Sequence, residues 1–199
     1  MRAVLASALL LAGCAGEADR GEVRLGQDAS GGPVSSTAIE ISADAVPESS
    51  SVACTAEEEE IFSCRVKSGK RIAVCASEDR GGQYRFGKAT PELVLDGGIW
   101  ASTPYSGGGE AQIAFTKGAI RYVVFSRMVR TNFKAGEPKD PVFSDGVIVL
   151  DGEKMIGLQA CEDPEAMPIQ YAAAEAYYPT ADELFTWETG RADPNKPPE

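Results

Sequence analysis

The stretch that decides the fold class is IFSCRV (61–66), KSGK (67–70) and RIAVCAS (71–77). Both outer runs are rich in β-branched, aromatic and other apolar residues, which is typical of strands. The run between them is short and polar and contains Gly69, the composition of a tight turn. These 17 residues therefore predict a β-hairpin.

The same alternation of short apolar runs and turn residues continues toward the C-terminus. Lys117-Gly118 and Asp151-Gly152 mark two further hairpin turns, while the segment with Trp100 between Gly98 and Gly109 is predicted as a loop. About eight short strands predict an all-β, antiparallel meander that closes as a sandwich or a barrel. The remaining predicted strands are Gln83 to Phe86, Glu92 to Leu95, Ala111 to Thr116, Ala119 to Met128, Val147 to Leu150 and Lys154 to Ala160.

Helical periodicity is confined to one candidate near the C-terminus, Tyr171 to Tyr178. A continuation from Thr180 to Trp187 would begin with a capping box between Thr180 and Glu183. The final residues, DPNKPPE (193–199), predict a frayed tail. We therefore expect residues 164–199 to form a partly helical or irregular, acidic extension.

The N-terminus has the parts of a bacterial export signal. Met1-Arg2 precedes an apolar run over residues 3–12, which is too short to cross a hydrocarbon core of about 30 Å. Leu11-Ala12-Gly13-Cys14 resembles the lipobox of bacterial lipoproteins, which implies cleavage after residue 13 and acylation of Cys14. An ordinary secreted protein is the alternative. Ala15, by resemblance to sorting in bacteria with two membranes, implies the periplasmic face of the outer membrane rather than retention at the inner membrane.

Composition divides the rest of the chain into three parts. Residues 14–51 are rich in Gly, Ser, Ala and acidic residues, which predicts a lipidated, flexible tether. Residues 52–163 hold the strand pattern and predict a folded domain. Residues 164–199 form the acidic extension.

Four cysteines remain once Cys14 is assigned to the anchor: Cys54, Cys64, Cys75 and Cys161. An even number of cysteines in an oxidising compartment predicts two disulfides. The sequence itself permits all three pairings of the four. Their spacing contains no Cys-x₂₋₄-Cys pair, so it predicts neither a zinc site nor any other metal or cofactor site.

The composition argues against ordinary enzyme classes. The chain has no His, which removes the commonest general base and the commonest metal ligand. The acidic run Glu57 to Glu60 lacks the alternating ligands and turn glycine of a calcium loop, so it predicts a solvated segment. We therefore expect a non-catalytic protein, with a hydrolase that uses carboxylates alone as the alternative.

Charge is distributed unevenly and hints at a partner. Residues 61–134 carry 12 basic and 5 acidic residues, whereas residues 162–199 carry 2 basic and 9 acidic residues, in a chain of net charge −11. Alternation along a strand places Arg121 and Arg127 on one face. The candidate binding surface is Arg85, Arg121, Arg127, Arg130 and Trp100.

That surface predicts an anionic partner, which is a lipid headgroup, a cell-wall polymer or an acidic protein; nucleic acid is not expected outside the cytoplasm. Two alternatives stay open. The arginines could form only the solvated face of a strand whose other face is core. The acidic C-terminal extension could also lie on the basic domain, steered by charge pairs that each contribute only about 0–1 kcal/mol and weaken with salt.

Three segments resemble a family of small exported proteobacterial proteins with no assigned activity: IFSC (61–64), VCAS (74–77) and YRFG (84–87). The similarity covers about residues 54–163. Relatives that keep counterparts of Cys64 and Cys161 alone imply the pairs Cys64–Cys161 and Cys54–Cys75. The alternative is Cys64–Cys75 across the first hairpin.

A second, looser similarity concerns function. Ser106-Gly107 and Lys117-Gly118 are similar to short pieces of the inhibitory loops of the c-type lysozyme inhibitors, which are small, disulfide-bearing, often lipidated β-barrels. The spacing between the two pieces does not match that family. The resemblance implies an alternative function, inhibition of a cell-wall lytic enzyme.

Overall fold

The computed structural model describes residues 51–132, 134–138 and 140–194. The export signal, Cys14, the tether before residue 51 and the tail after residue 194 lie outside this range. Helices within the described ranges are all too short or too polar to span a lipid bilayer.

Two separate antiparallel sheets make up the domain, and each is a simple meander in chain order. The first sheet contains β1 (Glu59–Arg65), β2 (Arg71–Ser77), β3 (Gly81–Gly87) and β4 (Pro91–Asp96). The second contains β5 (Ile99–Tyr105), β6 (Gly108–Lys117), β7 (Ile120–Arg130), β8 (Pro141–Asp151) and β9 (Lys154–Ala160). The all-β prediction is confirmed, with nine strands in the described residues.

Strand β5 is the element that the sequence pattern missed. Gly97-Gly98 before it and Gly107 to Gly109 after it favour a loop, and Pro104 cannot donate to a ladder. The strand nevertheless pairs with β6 over its whole length, with Trp100 opposite Ile113. Because β5 is the edge strand of its sheet, Pro104 can be accommodated there.

The two sheets face each other across one apolar core, in a sandwich arrangement. Tyr84 of the first sheet lies with its ring centroid 5.5 Å from that of Phe115 and 6.0 Å from that of Tyr122, both on the second sheet. Ile61, Phe62, Ile113 and Val124 are fully buried in the same core.

Both predicted disulfides are present, in the pairing that the family resemblance implied. Cys54–Cys75 ties the segment before β1 to β2, with a Cα–Cα distance of 5.4 Å. Cys64–Cys161 ties β1 to the residue after β9, with a Cα–Cα distance of 5.7 Å. The second bond therefore joins the two sheets.

The predicted helix is confirmed, but its continuation is wrong. Helix α1 spans Tyr171–Tyr177 and Pro179 follows it, where a helix cannot easily continue. The chain then runs beside β5: the Trp100 amide donates to the Pro179 carbonyl at 2.9 Å, and the Ala181 amide donates to the Trp100 carbonyl at 2.7 Å. Thr180 therefore pairs with a strand edge instead of capping a helix.

Part of the segment predicted as an extension, residues 164–199, packs into the folded domain. Ile169, Ala173, Ala174 and Tyr178 are buried in the core between the sheets. Gly82 makes room for the Tyr178 ring, since a Cβ on that residue would lie 2.0 Å from the tyrosine hydroxyl oxygen. Local composition could not reveal this packing, which joins segments about a hundred residues apart along the chain.

The outer face of the second sheet is covered by a segment that we call the strap, residues 185–193. Phe185 and Ala192 of the strap pack on a second apolar cluster formed by strands β6, β7 and β8. A 3₁₀ turn at Glu188–Ala192 shapes the strap's second half. The cluster consists of Ala114, Val123, Phe125, Ile148 and Leu150.

Candidate functional site

Arg85, the first residue of the predicted binding surface, is buried, so its assignment to a surface is wrong. The predicted alternation holds: Tyr84 points to the core and Arg85 to the outer face of the first sheet. That outer face is covered by residues 51–58, and the Arg85 side chain is only 1% exposed. It donates two hydrogen bonds to the Glu58 carboxylate, of 2.5 and 2.9 Å.

Glu58 is the buried counter-charge of Arg85, although the run Glu57–Glu60 was predicted to be solvated. Its side chain is 3% exposed and accepts a further hydrogen bond from the Thr55 amide at 2.9 Å. The Arg85 hydrogen bonds lower the pKa of Glu58 from 4.5 to about 2, against the opposing effect of burial. Arg85 and Glu58 therefore hold residues 51–58 on the sheet. Because both side chains are buried, a binding partner cannot reach them.

Trp100 is also buried, which corrects the prediction of a loop with a surface tryptophan. It lies on β5 facing the core and is 1% exposed. The Trp100 ring meets the edge of the Tyr171 ring at a centroid distance of 5.1 Å. Its role is to pack helix α1 against the second sheet.

Arg121 and Arg127 share a face of β7, as the alternation predicted, but they lie at opposite ends of the strand. Six residues along a strand separate them by about 20 Å. Arg121 donates to the Gly152 carbonyl at the β8–β9 turn, at 3.1 Å. The five predicted residues therefore do not form one surface, and only Arg127 and Arg130 lie together.

Arg127 and Arg130 line a cleft of about 370 Å³, here called the arginine cleft, between the β5–β6 turn and the strap. Trp187 of the strap stands at this cleft with 69% of its surface exposed. Arg130 lies against Gly107, where φ is +93° and a Cβ would be 3.0 Å from the arginine Nε. Gly107 thus adopts the positive φ that the turn requires, and its missing Cβ leaves space for the Arg130 guanidinium.

The floor of the arginine cleft is a buried polar network around Glu110, which is fully inaccessible to solvent. The Tyr105 hydroxyl and the Gln112 amide donate hydrogen bonds to its two carboxylate oxygens. Arg127 places its Nε 3.7 Å from Glu110 and its Nη1 3.3 Å from Asp193 of the strap. Burial, and then the hydrogen bond to Glu110, raise the pKa of Tyr105. These groups fix Arg127 at the cleft.

Gln112 attaches the strap to the sheet beneath the cleft. Its Oε1 accepts hydrogen bonds from the amides of Phe185 at 2.9 Å and Thr186 at 3.2 Å. Its Nε2 donates to the Thr186 carbonyl at 2.7 Å. The acidic C-terminal segment therefore does lie on the basic strand, but apolar packing and buried hydrogen bonds hold it there together with the Arg127–Asp193 ion pair.

Sequence reasoning missed three residues of the cleft: Tyr105, Glu110 and Trp187. Tyr105 and Glu110 fall in or beside the predicted loop, and Trp187 is 60 residues from Arg127 along the chain. No local pattern connects them. An exposed tryptophan beside two arginines is visible only once the strap is placed on the sheet.

The residues at the cleft do not point to metal chemistry. Among residues 51–132, 134–138 and 140–194, no three carboxylates or thiols form a group that could hold a metal ion. A search of protein-family models, of curated proteins and of solved structures found no match to this chain. The family resemblance of residues 54–163 therefore stays a prediction.

Proposed function

We propose that this chain is a non-catalytic lipoprotein of the bacterial envelope, anchored through acylated Cys14, whose arginine cleft binds an anionic group of its partner. The N-terminal sequence supports the anchor, and Ala15 after Cys14 supports a location at the periplasmic face of the outer membrane. The observation that carries the binding site is the convergence of Arg127, Arg130 and the exposed Trp187 on one cleft.

The chemistry of the lining favours an anion. Arginine presents a planar fork of donors that matches carboxylate and phosphate groups, and such charge-assisted hydrogen bonds are stronger than neutral ones. The lining holds two guanidinium groups and one carboxylate, Glu110, which already accepts hydrogen bonds from Tyr105 and Gln112. A second carboxylate, that of Asp193, lies outside the lining and pairs with Arg127. The cleft therefore brings two guanidinium groups together in a chain of net charge −11.

Trp187 adds apolar contact area beside the charges. Exposed aromatic residues next to arginines are common anchors of binding interfaces, because a large rigid side chain loses little entropy on binding. The chain has two tryptophans, and the other, Trp100, is buried. A change in the solvent-exposed tryptophan emission therefore reports on the arginine cleft.

The binding test titrates the purified full-length protein in detergent and follows Trp187 fluorescence. The probes are short-chain phosphatidylglycerol, its neutral phosphatidylcholine counterpart, and polyglutamate. We expect saturable binding to one of the two anionic probes and none to the neutral lipid. Binding of phosphatidylglycerol would indicate a lipid headgroup as the partner's anionic group, whereas binding of polyglutamate would indicate an anionic polymer or an acidic protein.

Two variants that each remove one positive charge test where the probe binds. Arg130→Gln removes a charge-assisted contact of about 1.5–3 kcal/mol, so binding should weaken by about 10- to 100-fold. Arg121→Gln, at the far end of the same strand, should leave binding unchanged. Equal weakening by both variants would show a diffuse charge effect and refute the cleft.

The anchor is tested separately by mass spectrometry of the protein recovered from membranes. We expect a mature N-terminus at Cys14 that carries acyl chains. In the Cys14→Ser variant the signal should remain uncleaved and the acyl mass should be absent. An unmodified, uncleaved N-terminus in the native protein would overturn the proposal.

The alternative of a lysozyme inhibitor has no supporting observation in the structure. Ser106-Gly107 lies in the β5–β6 turn, and Lys117-Gly118 lies in the β6–β7 turn. These turns stand at opposite ends of β6, a strand of ten residues, and are therefore about 30 Å apart. This separation does not support a single inhibitory surface formed by both turns.

A further inference from the structure

Within the part of the chain that the structure describes, strand β8 has an unpaired edge over its first residues. It pairs with β7 from Pro141 to Asp151, but with β9 only from Gly146 onward. Beyond that point, the Cys161 amide still donates to the Asp145 carbonyl at 2.9 Å. Residues 141–144 therefore form a short sheet edge.

The backbone direction at this edge follows from the ladder. In an antiparallel sheet, the amide and carbonyl of a residue point to the same side of the strand, and this side alternates from one residue to the next. The Asp145 carbonyl points toward the β9 side. The amide and carbonyl of Phe143 therefore also point there, where no strand of the described residues pairs with them.

A groove of about 790 Å³ runs along this edge, here called the edge groove. Its lining also includes most of residues 160–168, which follow β9, and residues 191–194 of the C-terminal segment. Phe143 stands in it with 62% of its surface exposed. The Ser144 hydroxyl, on a residue only 7% exposed that also lines the groove, has no hydrogen-bond partner among the described residues.

The lining of the edge groove is acidic. It carries the carboxylates of Asp145, Glu162, Asp163 and Asp193 and the guanidinium of Arg191; two of these carboxylates have basic partners outside the lining, since Asp193 pairs with Arg127 and Asp163 lies 3.9 Å from Arg65. Burial raises the pKa of Asp145, whose carboxyl lies beside the Ser126 hydroxyl. Carboxylates in the described residues do not converge in a way that could hold a metal ion. The groove therefore suits positive charges that are spread along an extended ligand.

We propose that the edge groove binds an extended, basic peptide segment of a partner protein, which adds as a short strand to residues 141–144. Addition to a free edge gives affinity through main-chain hydrogen bonds, while pockets on either side select alternate side chains. Basic side chains would lie along the acidic walls and an apolar side chain on Phe143. The lining of this groove shares no residue with that of the arginine cleft, although its Asp193 pairs with Arg127, and the proposal does not rest on the cleft.

A second copy of the chain is a poorer occupant. Pairing two edges would bring the acidic walls of both copies together, and like charges facing each other are destabilising. Pro141 also lacks an amide hydrogen, which is a common feature of edges that avoid self-association. The charge of the walls thus favours a basic partner over self-pairing.

The test measures binding of a dye-labelled hexapeptide, acetyl-Lys-Val-Lys-Val-Lys-Val-amide, to the purified full-length protein by fluorescence anisotropy. Two control peptides have the same length: one with N-methyl groups on alternate amides, and one with Glu in place of Lys. We expect the basic peptide to bind, and both controls to bind at least about tenfold more weakly, because each loses one of the two interactions. Hydrogen exchange of the Phe143 amide should slow by a similar factor in the complex.

Two variants of the protein examine the edge itself. Phe143→Pro removes the outward amide, a change that a sheet edge tolerates, whereas Phe143→Ala keeps the amide and removes only the ring. The proline variant should bind the peptide more weakly than the alanine variant, with circular dichroism unchanged in both. Equal binding of the N-methylated and parent peptides, no binding of either, or a dimer of the native protein that the peptide does not dissociate would overturn the proposal.

Discussion

The buried pair of Arg85 and Glu58 gives the sharpest stability prediction. Replacing Glu58 with Gln leaves the Arg85 guanidinium buried without its counter-charge. Breaking a buried ion pair in this way typically costs about 3–5 kcal/mol. Arg85 keeps hydrogen bonds to the Gln83 side chain at 2.6 Å and the Ala53 carbonyl at 3.4 Å, so we expect the lower end, about 3 kcal/mol.

The pH dependence of the stability that the pair supplies follows from the pKa of Glu58. The hydrogen bonds from Arg85 lower this pKa from 4.5 to about 2. Because the folded pKa lies below the unfolded value, this stability is present in full above pH 4.5 or so. It is lost as the pH falls through that value toward about 2, where the folded carboxylate becomes protonated.

The assay is urea unfolding of the native protein and the variant, with disulfides intact, at several pH values between 7 and 2.5. The free-energy difference between native and Glu58→Gln proteins should be about 3 kcal/mol at pH 7 and should shrink below pH 4.5. Glu57→Gln, at an exposed neighbour, should change stability by less than about 0.5 kcal/mol. A Glu58→Gln effect below that limit, or a difference independent of pH, would refute the assignment.

Three further changes test the packing of the domain. Gly82→Ala should lower the free energy of unfolding by about 1–3 kcal/mol, because its Cβ overlaps the Tyr178 ring; urea titration measures this, and an unchanged midpoint would contradict the packing. Gln112→Leu should cost about 1–3 kcal/mol and speed hydrogen exchange of the Phe185 and Thr186 amides, while unchanged exchange would mean that the strap is held elsewhere. Replacing both cysteines of the 64–161 disulfide by Ser should lower the free energy of unfolding by about 5 kcal/mol, against about 3 kcal/mol for the 54–75 pair. The reason is that the unfolded chain gains more conformational entropy when the longer loop is opened. Thermal unfolding measures the order of the two variants, and the reverse order would contradict this prediction.

Much of the first sheet could be predicted from the sequence. Alternation places Tyr84 and Phe86 on one face and Arg85 on the other, and Gly69 marks the turn between β1 and β2. These features depend on neighbours along the chain, so a single sequence contains them. The pairing of Cys64 with Cys161 needed the family resemblance, because spacing permits every pairing.

Whether charged residues on the outer faces of the sheets are exposed or buried could not be predicted in this way. Arg85 on an outer face is solvated unless another part of the chain covers that face, and Glu58 does so from 27 residues away. Arg127 meets Asp193 from 66 residues away. Whether a charged side chain is a binding group or a buried structural one is decided by such distant contacts.

Local periodicity and composition were sufficient to determine the β class, the hairpin turns and the number of disulfides, because each depends on short-range sterics or on a count of residues. The tertiary structure alone decided which outer faces are covered, where the C-terminal segment lies and which arginines converge with Trp187. The physical reason is that burial is a property of a surface and whatever packs on it. For both sheets, that covering comes from the ends of the domain.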